Sequence, residues 1–93
     1  MVNANAAPTK PSIKVTVTFP LAGKPYQDEV EPSTTVGAVR AAAMSGFGVV
    51  EDPGLLFYLV HASDRVDDAT TVGQVAGHAA AVKFTLTRQI VQG

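Results

Sequence analysis

The apolar pattern of this chain predicts an α+β domain, one helix packed on one sheet, with its elements in the order ββαββ. Three observations carry that prediction. Apolar residues alternate with polar ones over Ile13–Phe19 and again over Val82–Thr87, the period of a strand with one buried face. Between Val36 and Phe47 they recur instead at spacings of three and four, the period of a helix. Leu55–Val60 is a continuous apolar run, too short for a helix with turn residues before it, and reads as a central strand.

Taken in order, Met1–Pro11 is small and polar with two prolines and no periodicity, and is expected to be a disordered leader. Ile13, Val15, Val17 and Phe19 form the inward face of the first strand, and Lys14, Thr16 and Thr18 the outward one. Pro20–Pro25 supplies turn residues, and Tyr26–Glu31 returns as the second strand with Tyr26 and Val30 facing inward. Pro32 cannot donate to a ladder and closes that strand. Ser33, Thr34 and Thr35 then offer hydroxyls to the free amides of a helix start. Val36, Val39, Ala43 and Phe47 are the helix's buried stripe, and Gly46 and Gly48 are expected to end it. Asp52-Pro53-Gly54 is a turn. Arg65–Asp68 is expected as a short polar strand, Thr71–Val75 as one helical turn, and Val82, Phe84 and Leu86 as the inward face of the last strand. Thr35-Val36-Gly37-Ala38-Val39 and Thr71-Val72-Gly73-Gln74-Val75 echo one another. Each reads as a capping threonine followed by valines on one helix face, without duplication of a module.

At 93 residues the chain has room for one domain, expected over 12–89 with a flexible tail over 90–93. A chain of this size buries roughly 60 to 65 % of its unfolded surface, so its large apolar residues are needed for the core and a spacious internal active site is not expected. The net charge of −1, with both signs interspersed, gives no footprint for nucleic acid or an anionic membrane. The absence of cysteine excludes disulfides, thiolate metal sites and a cysteine nucleophile, and fits a reducing cytoplasm. No signal-peptide pattern opens the chain and no apolar run approaches the length that spans a bilayer. His61 and His78 lack metal-ligand spacing, and Asp64, Asp67 and Asp68 read as a solvated loop, so no metal or cofactor is expected. Gly23-Lys24-Pro25 lacks the upstream glycine and following hydroxyl of a phosphate loop, and no Ser, His and Asp share a hydrolase context. The chain is not expected to be an enzyme.

Three segments, in matching order and spacing, make Ser12–Gly93 resemble ubiquitin and its prokaryotic relatives. Glu29-Val30-Glu31-Pro32-Ser33 leading to Thr35-Val36 and Val39 resembles the second strand and helix start. Arg65-Val66-Asp67-Asp68 followed by Thr71-Val72 and Val75 resembles the fourth strand and the small helix after it. Leu59-Val60 resembles the strand carrying half of the interaction patch. The resemblance implies a ubiquitin-like β-grasp fold, with a mixed sheet of four to five strands on one helix and the first and last strands paired in parallel. It puts the partner-binding patch at Leu21, Val60 and Thr85, with Lys14 and Lys83 on the same sheet face. Thr85 makes one of the three patch positions polar, and Asp64 stands where the chain-forming lysine would fall. The tail Arg88-Gln89-Ile90-Val91-Gln92-Gly93 ends in one glycine where ubiquitin and the sulfur carriers have two. These departures imply a dedicated set of partners.

The function implied is that of a bacterial, cytoplasmic, monomeric protein modifier, with Gly93 as the conjugated residue. An E1-like activating enzyme would adenylate its carboxylate, an E2-like conjugating enzyme would join it to a target amine, and an isopeptidase would remove it. Glycine suits that chemistry because, without a Cβ, it fits a narrow channel and leaves its carbonyl open to attack. From Leu86 to Gly93 the tail spans roughly 23 Å at about 3.3 Å per residue. Two other readings stand beside this one: a non-conjugated β-grasp adaptor using its sheet face, and a sulfur carrier whose terminal carboxylate becomes a thiocarboxylate.

Overall fold

A computed structural model describes residues 12–91. The leader, Gln92 and Gly93 lie outside the described residues. Alternation does what the sequence predicts at the centre of the molecule. In β1 (Ile13–Thr18), Ile13, Val15 and Val17 are buried while Lys14 and Thr18 are exposed. β2 (Tyr26–Val30) returns antiparallel beside it, with Tyr26 opposite Val17 and Val30 opposite Ile13, both half-buried. α1 (Val36–Phe47) crosses the inner face, then β3 (Leu55–His61) and β4 (Asp64–Val66) form a second hairpin. α2 (Val72–Ala76) and β5 (Ala81–Ile90) complete the chain. The sheet has five strands in the order β2-β1-β5-β3-β4 and is mixed, because β1 and β5 pair in parallel and the other neighbours are antiparallel.

The core is a single apolar cluster between the sheet and the two helices. Val15, Val17, Val36, Leu59, Val72 and Leu86 are fully buried, and each contributes about 1.5–3 kcal/mol relative to an exposed position. Phe19 caps one end, with its ring 5.4 Å from that of Phe47 and 6.0 Å, edge-on, from that of Phe57.

Four expectations change in detail. Met44 joins Val36, Val39 and Ala43 in the buried stripe, while Phe47 is half-buried against Phe19. Gly48 ends α1 in the left-handed conformation, with its N–H directed to the Met44 and Ser45 carbonyls. Gly46, however, lies inside the helix, and a Cβ there would sit 2.8 Å from the Tyr26 ring. Its role is to admit that ring. The fourth strand starts and ends earlier than expected, because Ala62 and Ser63 both take positive φ (52° and 73°) and pair His61 with Asp64 across a two-residue turn. Lastly, β5 runs to Ile90, four residues beyond Leu86.

The echoed Thr-Val-Gly strings both cap helices, as expected: Thr35 Oγ1 accepts from the Ala38 N–H, and Thr71 forms a capping box with Gln74. They are also partners of each other. Thr35 bridges Thr71 antiparallel, the Val36 N–H donates to the Thr70 carbonyl, and the Val72 N–H donates to the Thr34 carbonyl. Gly37 donates to Asp68 and Gly73 to Pro32 in the same reciprocal way. Each helix start thus supplies acceptors for the other's free amides. The glycines make the approach possible, since a Cβ on Gly37 would lie 3.0 Å from Asp68 Cβ and one on Gly73 would lie 2.9 Å from Pro32 Cβ.

Candidate functional site

The outer face of the sheet carries the residues that alternate with the core. Pairing of β5 with β3 sets Thr85 opposite Val60, and pairing with β1 sets it beside Thr18, whose hydroxyl lies 3.4 Å from the Thr85 hydroxyl. Val60 and Thr85 are therefore brought together, as the sequence implies. Lys83 sits opposite Thr16 and Lys14 opposite Ala81, so both lysines are exposed on this face, one step apart along the strands. The Lys83 carbonyl lies 3.0 Å from Nδ1 of His61.

Leu21 is placed elsewhere. It lies in the β1–β2 connection, 64 % exposed, and lines a 420 Å³ groove with the inward-facing Phe19, Phe47, Leu55 and Phe57 and with Arg88 at the rim. The implied three-residue patch is thus divided between the outer face and this end groove.

Sequence reasoning placed Val60 of β3 on the outer face but missed Leu56 and Tyr58 beside it. Leu56, Tyr58 and Val60 stand on the face opposite the buried Phe57 and Leu59, and the Arg65 guanidinium lies over the Tyr58 ring at 4.5 Å from its centroid. An alternating signal could not reveal them, because a continuous apolar run hides which side is core. The run itself is the clue: a central strand that is apolar on both sides has something to offer on the second. Leu56, at 38 % exposure, makes that half of the face the more apolar one.

The tail departs furthest from expectation. It is expected to leave the body after the last strand, with 90–93 free. Within the expected domain Arg88 pairs with Phe57 and Gln89 with Leu56, but the ladder then continues into the expected tail, where Ile90 pairs with Leu55 and the Val91 N–H donates to the Gly54 carbonyl at 3.0 Å. Extended, β-branched residues beside an unfilled stretch of β3 edge continue the ladder, because backbone groups on both strands gain partners. Gln92 and Gly93, the remaining tail residues of the implied site, lie outside the described residues.

A polar hub also holds the β3 side in place. Arg40 on α1 donates through Nε and Nη2 to the Asp68 carboxylate at 3.0 and 2.8 Å, and its Nη1 lies 3.1 Å from Glu51. The other Glu51 oxygen accepts from the Phe57 N–H at 2.8 Å, on the side of β3 that β4 is too short to cover. That backbone bond, with Arg40 assisting, holds the Glu51 carboxyl below its ordinary pKa, and the two carboxylates raise Arg40 above its own. Among the described residues no group of three His, Asp or Glu side chains is arranged to hold a metal ion. No helix there is long and apolar enough to cross a membrane.

Comparison with known proteins bears on this geometry. No family model matches the chain, and no curated protein matches it. Among solved structures it is similar to the Caldiarchaeum subterraneum ubiquitin, with 28 % identity and a TM-score of 0.70 over 88 % of this chain and 99 % of that one. A design based on ubiquitin matches with a TM-score of 0.69 at 14 % identity, over 90 % of this chain and 96 % of that one. A structure described as molecular mimicry of SUMO that promotes DNA repair matches with a TM-score of 0.65 at 8 % identity, over 82 % and 90 %. The fold is the ubiquitin-like β-grasp, an α+β architecture, as the sequence resemblance implies.

Proposed function

We propose that this chain is a ubiquitin-like protein modifier whose Gly93 carboxylate is adenylated by an E1-like enzyme, passed to a thiol and joined to an amine of a target. The observation that carries the reading is the similarity to the Caldiarchaeum subterraneum ubiquitin, which extends over almost that entire chain at 28 % identity. The chain is then the transferred group and not the catalyst. A carboxylate oxygen of Gly93 first attacks the α-phosphorus of ATP, forming the acyl-adenylate as pyrophosphate leaves. A thiolate next displaces the adenylate, and the target amine finally displaces the thiol, losing a proton as the amide forms. The outer sheet face would dock the E1-like and E2-like enzymes, with Lys14, Lys83 and Arg65 favouring acidic partner surfaces and Leu56, Tyr58 and Val60 supplying apolar contact. An isopeptidase would reverse the linkage, and a cytoplasmic monomer suits the scheme.

Incubation with its activating enzyme and ATP should give a thioester or amide at Gly93 by mass spectrometry, abolished when Gly93 is deleted. A carboxylate that stays free beside an enzyme active on another substrate would defeat the reading. The pairing of Arg88–Ile90 with β3 favours one second reading, a non-conjugated adaptor whose last strand serves the sheet. For that protein, deletion of 91–93 leaves partner binding intact.

A further inference from the structure

The last turn of pairing between β5 and β3 is attached differently from the rest. Up to Leu86 the strand is anchored by burial, with Val82, Phe84 and Leu86 at 4 %, 1 % and 0 % exposure. Beyond Thr87 the side chains of Arg88, Gln89, Ile90 and Val91 are exposed, Ile90 by 68 %, so this segment is held mainly by its backbone ladder. Its far end is fastened to a prepared acceptor. Asp52 and Leu55 exchange backbone hydrogen bonds at 3.0 Å in both directions, and Asp52 Oδ1 accepts from the Gly54 N–H at 2.8 Å. That turn fixes the Gly54 carbonyl which receives the Val91 N–H.

We propose that Arg88–Val91 is a latch, closed on Leu55–Phe57 and the Gly54 carbonyl, which must peel from β3 before an enzyme can take the terminus. Its purpose rests on the reading of Gly93 as the reacting residue. With the latch closed, only Val91–Gly93 follow the last register pair, a reach of roughly 10 Å at about 3.3 Å per residue. Opening back to Leu86 frees seven residues and roughly 23 Å. Because the ladder there covers little apolar surface, it opens locally while the buried half of β5 stays in place. The latch therefore sets how much of the chain's time its terminus is presentable, and an enzyme that grips the extended tail shifts that balance.

The test uses the full chain, which has no native cysteine, with Leu55→Cys and Ile90→Cys at the register pair. Carboxypeptidase Y serves as the probe of tail access. The oxidised form should lose Gln92 and Gly93 and then stall, while the same protein under reductant is trimmed through residues 88–90 at least about tenfold faster. Equal trimming in the two redox states, or wild-type trimming as fast as that of a free peptide of residues 86–93, overturns the latch. As a second measurement that leaves β3 untouched, Val91→Pro removes one donor and should speed exchange of the Gln89 amide about two- to tenfold without altering that of Leu86. An unchanged Gln89 amide also counts against it. Neither measurement needs conjugation chemistry. Adding the activating enzyme and ATP to both redox forms then separates the ideas: product from the reduced form alone supports the latch as a gate, and equal product from both overturns it. No product from either, with redox-dependent trimming intact, defeats the modifier reading and leaves the latch standing.

Discussion

Single atoms decide several features of this domain, most plainly at its glycines. Gly73 has Pro32 where its Cβ would go, with Cβ at 2.9 Å and the carbonyl oxygen at 3.0 Å, so neither helix start can back away without losing the reciprocal amide bonds. Gly73→Ala is expected to destabilise by about 1–3 kcal/mol in urea unfolding. Gly23→Ala, where nothing lies within 4 Å, is expected to fall within about 0.5 kcal/mol of the native chain. Glu51 gives a pH prediction. Its folded pKa is depressed below the ordinary 4.5, chiefly by the Phe57 N–H, so its stabilising effect is fully present above that value and is lost as pH falls through the depressed one. Glu51→Gln should therefore lower the melting temperature near neutral pH, and the gap from the native chain should narrow only as the pH drops below the usual carboxylate range. A gap that stays constant to pH 2 would contradict the assignment.

At the scale of elements, the β3–β4 hairpin shows both what the sequence conveys and what it withholds. Leu55–Val60 is legible as a strand because no other element fits six apolar residues after Asp52-Pro53-Gly54. The turn after it is not, because Ala62 and Ser63 take left-handed backbone angles without the Asn or Gly that normally advertise them. Replacing Ala62-Ser63 with Asn-Gly is expected to stabilise by about 0.5–1 kcal/mol in chemical denaturation, since the native pair bears strain that Asn and Gly relieve. α1 and α2 were legible from their threonine caps and valine spacing. That the two helix starts bond to one another was not, because reciprocal backbone bonds between distant segments leave no periodic signal, only the echo of two similar strings. The site divides in the same way. Val60 and Thr85 meet because period and register fix them, whereas Leu21 belongs to a turn whose direction no alternation determines. The length of β5 went unread because Arg88-Gln89-Ile90-Val91 has no inward anchor to mark it as strand, and its pairing comes from the open edge of β3.

For the molecule as a whole, the described residues form one packed core with an exposed end on its last strand. The core locks β1, β5, α1 and α2 together, the Arg40 hub ties α1 to both loops flanking the β3–β4 hairpin, and the exposed end of β5, held mainly by backbone bonds, leads toward Gly93. Arg40→Ala is expected to lower stability by about 1–2 kcal/mol, less than for a fully buried pair because Asp68 remains half exposed, with the loss read as a shift in denaturation midpoint. Under the proposed function, such a body would travel intact while its terminus reacts. The direct measurement is tryptic mass spectrometry of proteins that co-purify with the chain from its native cells under denaturing conditions. Cleavage after Arg88 should leave the remnant Gln89–Gly93 on target lysines, joined through the Gly93 carbonyl. Recovery of that peptide only with a free carboxylate, from cells in which its activating enzyme is present, would contradict the proposed function.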